Sequence, residues 1–210
     1  VVTPTGTFPV QVGDKSVPFS KETLDQILAL TRKPSVKTKE EGFLFCKSGE
    51  AIVPCLSCKG GKCRITYRDC AGKPYEGQIH THPIAGREGW PKSHHTIPSS
   101  GDIHNTSPET THCVAAYGSD DINCWTRKLP SVGYSCPTRN SWAYLPPDMP
   151  EEMAERYRKA KRVCKDVKKA FDFKTINVKE VLGETPKVAP KETKEVVEPF
   201  QPRLFQEALR

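Results

Sequence analysis

The sequence lacks any apolar run of roughly 18 residues, the length of a membrane-spanning helix, so it predicts no membrane partner. Core-forming residues are also scarce, because apolar residues make up 36% of the chain, charged residues 27%, and prolines number 19. This composition is leaner in core formers than that of an average globular domain. We therefore expect a compact core with long polar extensions, as one domain or two small ones.

An excess of acidic charge is likewise absent. Lys and Arg total 32 against 25 Asp and Glu, which gives a formal net charge of +7. This mild basicity permits acidic partners or nucleic acid without requiring either. The first residue is Val1 and not Met, which is compatible with a leader that has been removed.

Cysteine, in contrast, is abundant. The nine cysteines are an odd number, so at least one has no partner within the chain. Two interpretations stay open, because disulfides would indicate an oxidising compartment and a secreted protein, whereas reduced cysteines slightly favour the cytoplasm. For the later cysteines Cys113, Cys124 and Cys136 we expect ordinary buried thiols.

Four further cysteines surround a Lys-Gly-Gly-Lys turn. Four thiolates can close a tetrahedral structural zinc site, so a second zinc is one interpretation of this group. Disulfides within a β-hairpin are the equal alternative. The four residues are Cys55, Cys58, Cys63 and Cys70.

Two histidines stand at alternate positions near the end of a predicted strand, Glu76–His82. His80 and His82 would project from the same face, so their imidazoles can converge on one metal ion. Asp102, in the first turn of a predicted short helix, can supply a third ligand and leave a position for water, as in catalytic zinc sites. Two histidines on a solvent-facing strand are the alternative, but the following proline and the Ser99-x-x-Asp102 motif favour a metal.

These motifs resemble those of the JAMM (MPN+) zinc metalloprotease family, whose pattern is an upstream glutamate, then His-x-His, then Ser-x-x-Asp. The resemblance covers about half of the chain. It implies one catalytic zinc held by His80, His82 and Asp102, a glutamate as general base, and a hydrogen bond from Ser99 to the oxyanion of the tetrahedral intermediate.

The general base stays open between two glutamates that open a predicted buried strand. Glu40 and Glu41 follow a predicted helix and precede Phe43–Cys46, the order that the family has. The family's spacing to a following glycine is not matched here. Strand parity slightly favours Glu41 when Gly42 is aligned with the family's glycine.

The chain departs from the family in the segment 83–98, which is longer than the usual gap between the second histidine and the serine. It contains Trp90, His94 and His95. Long loops without regular structure are commonly functional. We expect this loop to lie over the metal, with these side chains contacting substrate or forming part of a solvated flap.

The order of predicted elements is helix, strands, short helix, strands, long helix. It predicts an α+β (α/β-like) fold with a mixed β-sheet flanked by helices, and the resemblance implies a core like those of JAMM proteins and cytidine deaminases. The predicted parts are a lead-in (1–19), a JAMM-like domain (20–145), a helical extension (146–182) whose helix runs from 151 to about 173, and a flexible linker and tail (183–210).

The resemblance implies hydrolysis of an amide bond in a peptide or protein, including the isopeptide bonds of ubiquitin-like tails. A non-catalytic binding or scaffold protein with the same fold is the first alternative. A nucleic-acid-binding zinc protein ranks third, because aromatic residues that could stack on bases are not interleaved with the basic ones.

Overall fold

The computed structural model describes residues 6–49, 51–54, 58–59, 62–63, 70, 75–85, 90–138 and 140–183; for 51–54, 58–59 and 62–63 only the backbone is described. Strands β1 to β10 span Thr7–Val12, Lys15–Ser20, Gly42–Cys46, Ala51–Pro54, Cys58–Lys59, Lys62–Cys63, Tyr75–His82, Thr111–Ala116, Asp121–Arg127 and Phe171–Asn177. Helices α1 to α6 span Lys21–Arg32, Lys92–His95, Ser100–His104, Glu151–Lys159, Val167–Ala170 and Val178–Val181, and a 3-10 helix covers Pro34–Lys37.

Among the described residues, six strands form one mixed sheet in the order β10-β9-β8-β7-β3-β4. Strands β7 and β8 are parallel, and the other neighbouring pairs in this sheet are antiparallel. Every residue of β8 is buried, as expected for a central strand that is covered on both faces. The prediction of an α+β chain with a mixed sheet is confirmed at this level.

Two hydrophobic clusters cover the two faces of the sheet, because alternate residues of β8 belong to different clusters. Cys113 and Ala115 lie in the cluster that also contains Leu24 of α1. Val114 lies in the second cluster, with Ile103 of α3. Helix α1 therefore packs on one face and α3 on the other.

The described part of the predicted lead-in (1–19) contains regular structure. Strands β1 and β2 form an antiparallel hairpin, and Gly13 in its turn has φ +59°, a conformation that favours glycine. Helix α1 begins as predicted, because the Ser20 side chain accepts a hydrogen bond from the backbone N–H of Thr23 at 3.1 Å.

The long helix predicted from 151 to about 173 is wrong. Helix α4 ends at Lys159, and the following residues Lys161 and Asp166 have positive φ angles, which an α-helix does not allow. Strand β10 then pairs with β9 along its whole length and forms one edge of the main sheet. The predicted tail lies outside the described residues from 184 onward.

The described residues contain three disulfides: Cys46–Cys70, Cys113–Cys124 and Cys136–Cys164. The expectation that Cys113, Cys124 and Cys136 are free core thiols is therefore wrong. Disulfides of this kind are typical of proteins from oxidising compartments. Across the same described residues, no helix has both the length and the apolar character needed to traverse a bilayer.

The predicted four-cysteine zinc site does not form as a set, because Cys70 is bonded to Cys46 and its thiolate is no longer a ligand. The backbones of Cys58 and Cys63 are partners in the short β5–β6 ladder. Cys55 lies outside the described residues.

The Cys136–Cys164 disulfide yields a prediction for stability. It joins residues 28 positions apart, and closing a loop of that length in the unfolded chain stabilises the fold by about 3–4 kcal/mol. We expect the double variant Cys136→Ala/Cys164→Ala to lose about that much free energy of unfolding in urea titrations. Ser135→Ala, at an exposed neighbouring position, should change it little; equal urea midpoints for the wild type and the double variant would contradict the prediction.

Candidate metal centre

The two histidines of the predicted metal site lie near the end of β7. His80 pairs with Val114 and His82 with Ala116 of the parallel strand β8. Residues in register on neighbouring strands share a face, and Val114 belongs to the cluster that packs on α3. Both imidazoles therefore lie on the α3 side of the sheet.

Asp102 approaches the histidines from the first turn of α3, whose start is fixed by a capping box. Ser99 Oγ accepts a hydrogen bond from the Asp102 N–H, and the Asp102 carboxylate accepts one from the Ser99 N–H at 2.7 Å. Ile103 is fully buried against the sheet. Thr106 links the helix to the core, since its Oγ1 donates to the Asp102 carbonyl and accepts from Trp125 Nε1.

The three predicted ligands come together in the structure. His80 Nε2 lies 3.2 Å from Asp102 Oδ1, and His82 Nε2 lies 3.2 Å from Asp102 Oδ2. The two Nε2 atoms are 3.3 Å apart. Donor atoms at the corners of a zinc tetrahedron with bonds of 2.0–2.1 Å are separated by about 3.3 Å, which is the separation of the two Nε2 atoms, and the carboxylate offers one oxygen to each imidazole.

The electrostatics of the cluster keep the aspartate in its ligand form. Burial raises the pKa of Asp102, but His80 and His82 lower it more, and the result lies well below the ordinary value. Burial lowers the pKa of His80, whereas the negative charges of Asp102 and Glu40 raise it, and the net direction is upward. The site is therefore a half-buried, negatively charged carboxylate flanked by two imidazoles, and such a carboxylate would attract a cation.

Ser99 contacts the same carboxylate with its side chain. Its Oγ donates to Asp102 Oδ2 at 2.8 Å. The residue thus orients the third ligand as well as capping α3, which is the usual task of a group in the second coordination sphere.

The two candidate glutamates lie on opposite faces of the extension of β3. Gly42 pairs with His80, and the N–H of Thr81 donates to the Glu41 carbonyl at 2.8 Å. Because antiparallel partners share a face and successive residues alternate, Glu40 lies on the face of His80 and His82, and Glu41 on the face of Thr81.

The side-chain contacts agree with this alternation. The Glu41 carboxylate accepts a hydrogen bond from Ser35 Oγ and lies 3.4 Å from Lys33 Nζ. Glu40, by contrast, is close enough to His80 for its charge to raise the pKa of that imidazole. These contacts favour Glu40, whereas the alignment of Gly42 with the family had slightly favoured Glu41.

Gly42 allows β3 to lie close to β7, the strand that carries His80 and His82. A Cβ at this position would stand 2.3 Å from the Ile79 carbonyl oxygen and 2.9 Å from the His80 Cα. No larger residue fits there without moving the strands apart, so glycine holds the glutamate-bearing segment beside His80.

The described part of the inserted segment contains the short helix α2 and buried histidines. His94 and His95 are 2% and 5% exposed. The His94 ring stacks edge-on against Trp90, with centroids 5.9 Å apart, and its Nε2 lies 3.5 Å from Asp148 Oδ1. Burial lowers the pKa of His94. Of the two alternatives for this segment, the solvated flap is therefore wrong for 92–95, which packs as a helix, and contact with substrate stays a prediction.

Sequence reasoning missed His112, which lies on β8 on the same face as His80. Its Nδ1 is 2.9 Å from Gln78 Nε2, and its Nε2 is buried with no hydrogen-bond partner among the described residues. Burial, helped by the charge of His80, lowers its pKa to about 3, so the ring is neutral. Only the strand register, which pairs it with Gln78, brings it near the site.

Sequence reasoning also missed Trp142. It forms an isolated antiparallel bridge with Ser99. No spacing in the sequence could reveal this contact, because the two residues are far apart in the chain.

Comparisons of this chain with protein-family models, with characterised proteins and with solved structures find no match.

Proposed function

We propose that the chain is a zinc-dependent hydrolase of amide bonds, of the JAMM type that its motifs resemble. The observation that carries the proposal is the convergence of three side chains: the Nε2 atoms of His80 and His82 are 3.3 Å apart, and each lies 3.2 Å from one oxygen of the Asp102 carboxylate. Two imidazoles and one carboxylate form a donor set used by catalytic zinc sites that keep one position for water.

The chemistry divides among three ligands, two further side chains and the ion. A bound zinc would act as a Lewis acid and lower the pKa of a coordinated water to about 7. Glu40 lies on the same face of the sheet as His80, where it takes a proton from the water and passes it to the leaving amine of the cleaved amide. The Ser99 hydroxyl has one proton, which it turns from Asp102 Oδ2 to the oxyanion while the Ser99 N–H still holds the carboxylate. Removal of such a donor typically costs about 100- to 1,000-fold in rate.

The disulfides bear on the substrate and on where the protein works. Three pairs of bonded cysteines support an oxidising and secreted setting. Ubiquitin-like tails are substrates of the reducing cytosol, so we favour a peptide or protein encountered outside it. A non-catalytic scaffold of the same fold is the alternative, and turnover separates the two.

The experiment is metal analysis of the native protein together with hydrolysis of a panel of peptides. We expect about one zinc per chain, since the described residues offer one such three-ligand group. Chelation should abolish hydrolysis, and added zinc should restore it. Zinc without turnover on any peptide would favour the scaffold, and absence of bound metal after dialysis against zinc would exclude the hydrolase.

A further inference from the structure

Trp142 lies directly beside the candidate metal centre. It pairs with Ser99 in an antiparallel bridge, and the residues on either side of the pair exchange backbone hydrogen bonds of 2.8 and 2.9 Å. This pattern makes Ser99 and Trp142 a non-hydrogen-bonded pair, in which the Cβ atoms are about 4.5–5.5 Å apart. The two side chains therefore start next to each other on one face.

This position places the indole next to the proposed chemistry. Ser99 Oγ lies 2.8 Å from Asp102 Oδ2, and the proposed function has the same hydroxyl donate to the oxyanion. A substrate whose carbonyl oxygen accepts a hydrogen bond from Ser99 brings the side chains next to that carbonyl close to the residue paired with Ser99. Trp142 is that residue.

Trp142 is the centre of a group of rings, which we call the aromatic wall: Trp90, Trp142 and Tyr157. The Trp142 ring centroid lies 5.9 Å from that of Trp90 and 5.2 Å from that of Tyr157. His94 packs edge-on behind both indoles. All three members of the wall are half-buried, so each keeps part of its surface open to solvent.

The backbone that carries the wall is held on both sides. The Trp142 N–H donates to the Arg162 carbonyl at 2.9 Å, and the Trp142 carbonyl accepts from the Cys164 N–H at 2.9 Å. Cys164 is in turn fixed by its disulfide to Cys136. A surface that is already rigid loses little conformational entropy when a ligand covers it, which favours binding.

The geometry points to a role in specificity: the aromatic wall receives an aromatic or large aliphatic side chain that adjoins the scissile amide. This inference rests on the proposed function, because the aromatic wall is linked to the proposed chemistry by the pairing of Trp142 with Ser99. Apolar side chains gain from covering half-exposed rings, and rigid aromatic residues commonly dominate recognition.

The test uses the zinc-loaded protein and a peptide panel in which each residue flanking the cleaved bond is Phe, Leu, Ala or Asp in turn. We expect wild-type kcat/KM to favour Phe or Leu over Ala at one of these positions by roughly 10- to 200-fold. Trp142→Ala should remove most of that preference, because kcat/KM for the Phe or Leu peptide falls towards the value for the Ala peptide. Trp142→Phe, which keeps a ring in the packing, should retain an intermediate preference.

Phe8→Ala is the matched control, since Phe8 is a half-buried ring that packs on the opposite cluster. It should leave the ratio between Phe and Ala peptides unchanged. A preference that survives in Trp142→Ala, or a wild type that prefers Ala or Asp, overturns the inference and leaves the proposed function intact. Absence of turnover on every peptide with zinc bound overturns the proposed function and, with it, the specificity role.

Discussion

Replacing His82 by Ala is expected to remove the bound zinc and reduce amide hydrolysis to background. His82 Nε2 stands 3.2 Å from Asp102 Oδ2 and 3.3 Å from His80 Nε2, so its loss leaves a pair of donors where three converge. Loss of a group that merely orients a ligand typically costs about 10- to 100-fold in metal affinity. Loss of the ligand itself should cost at least about 100-fold, measured by competition with a zinc chelator.

His104→Ala is the matched control. His104 belongs to α3, the helix that carries Asp102, but it is exposed, and its Nδ1 donates to the Ser100 carbonyl within the helix. This variant should keep wild-type zinc content and activity. Full zinc stoichiometry in His82→Ala would show that the metal is held elsewhere and would remove the basis of the proposed hydrolase.

The part of the site that the sequence could predict is the part set by short spacings. His80 and His82 share a face because a strand alternates every residue. Ser99-x-x-Asp102 has the spacing of a capping box, so one motif both starts α3 and orients the Asp102 carboxylate. What no spacing could supply was the approach of α3 to β7, which depends on burial of Ile103 and on the bond between Thr106 and Trp125.

The errors arose where distant contacts override a local pattern. Apolar residues at helical spacing predicted one helix through 151–173, yet the described chain turns at Lys161 and Asp166. Cys164 lies between these turns, held to Cys136 by a disulfide that sequence alone cannot assign. After the turns, pairing with β9 places Phe171–Asn177 in the sheet, because tertiary contacts outweigh helix propensity.

The sequence alone could not show which glutamate shares a face of the sheet with His80 and His82, because that depends on how its segment pairs with the neighbouring strand. The structure shows this pairing, in which Gly42 lies opposite His80. Glu40 lies two residues before Gly42, and Glu41 lies one residue before it, in the segment that leads into β3. A shift of one residue exchanges the faces of the two carboxylates, so the two candidates make opposite predictions.

Glu40→Gln is therefore expected to lower kcat by about 100- to 10,000-fold, the usual contribution of a general acid–base group. Zinc content should not change, because Gln keeps the shape of the side chain and Glu40 is not among the three predicted ligands. Glu41→Gln is the paired variant. It weakens a half-exposed contact with Lys33, which costs at most about 1 kcal/mol of stability, and it should leave kcat near the wild-type value.

The two variants should be compared on one peptide, at equal zinc loading, so that kcat reports proton transfer and not metal affinity. A large loss in Glu41→Gln with normal turnover in Glu40→Gln would move the base to the Thr81 face, where it could not reach a water between the imidazoles and Asp102. That result would contradict the whole arrangement and not the base alone. Equal and small effects would mean that no glutamate of this pair carries the proton, and the three-ligand site would then bind a metal without the partner that hydrolysis requires.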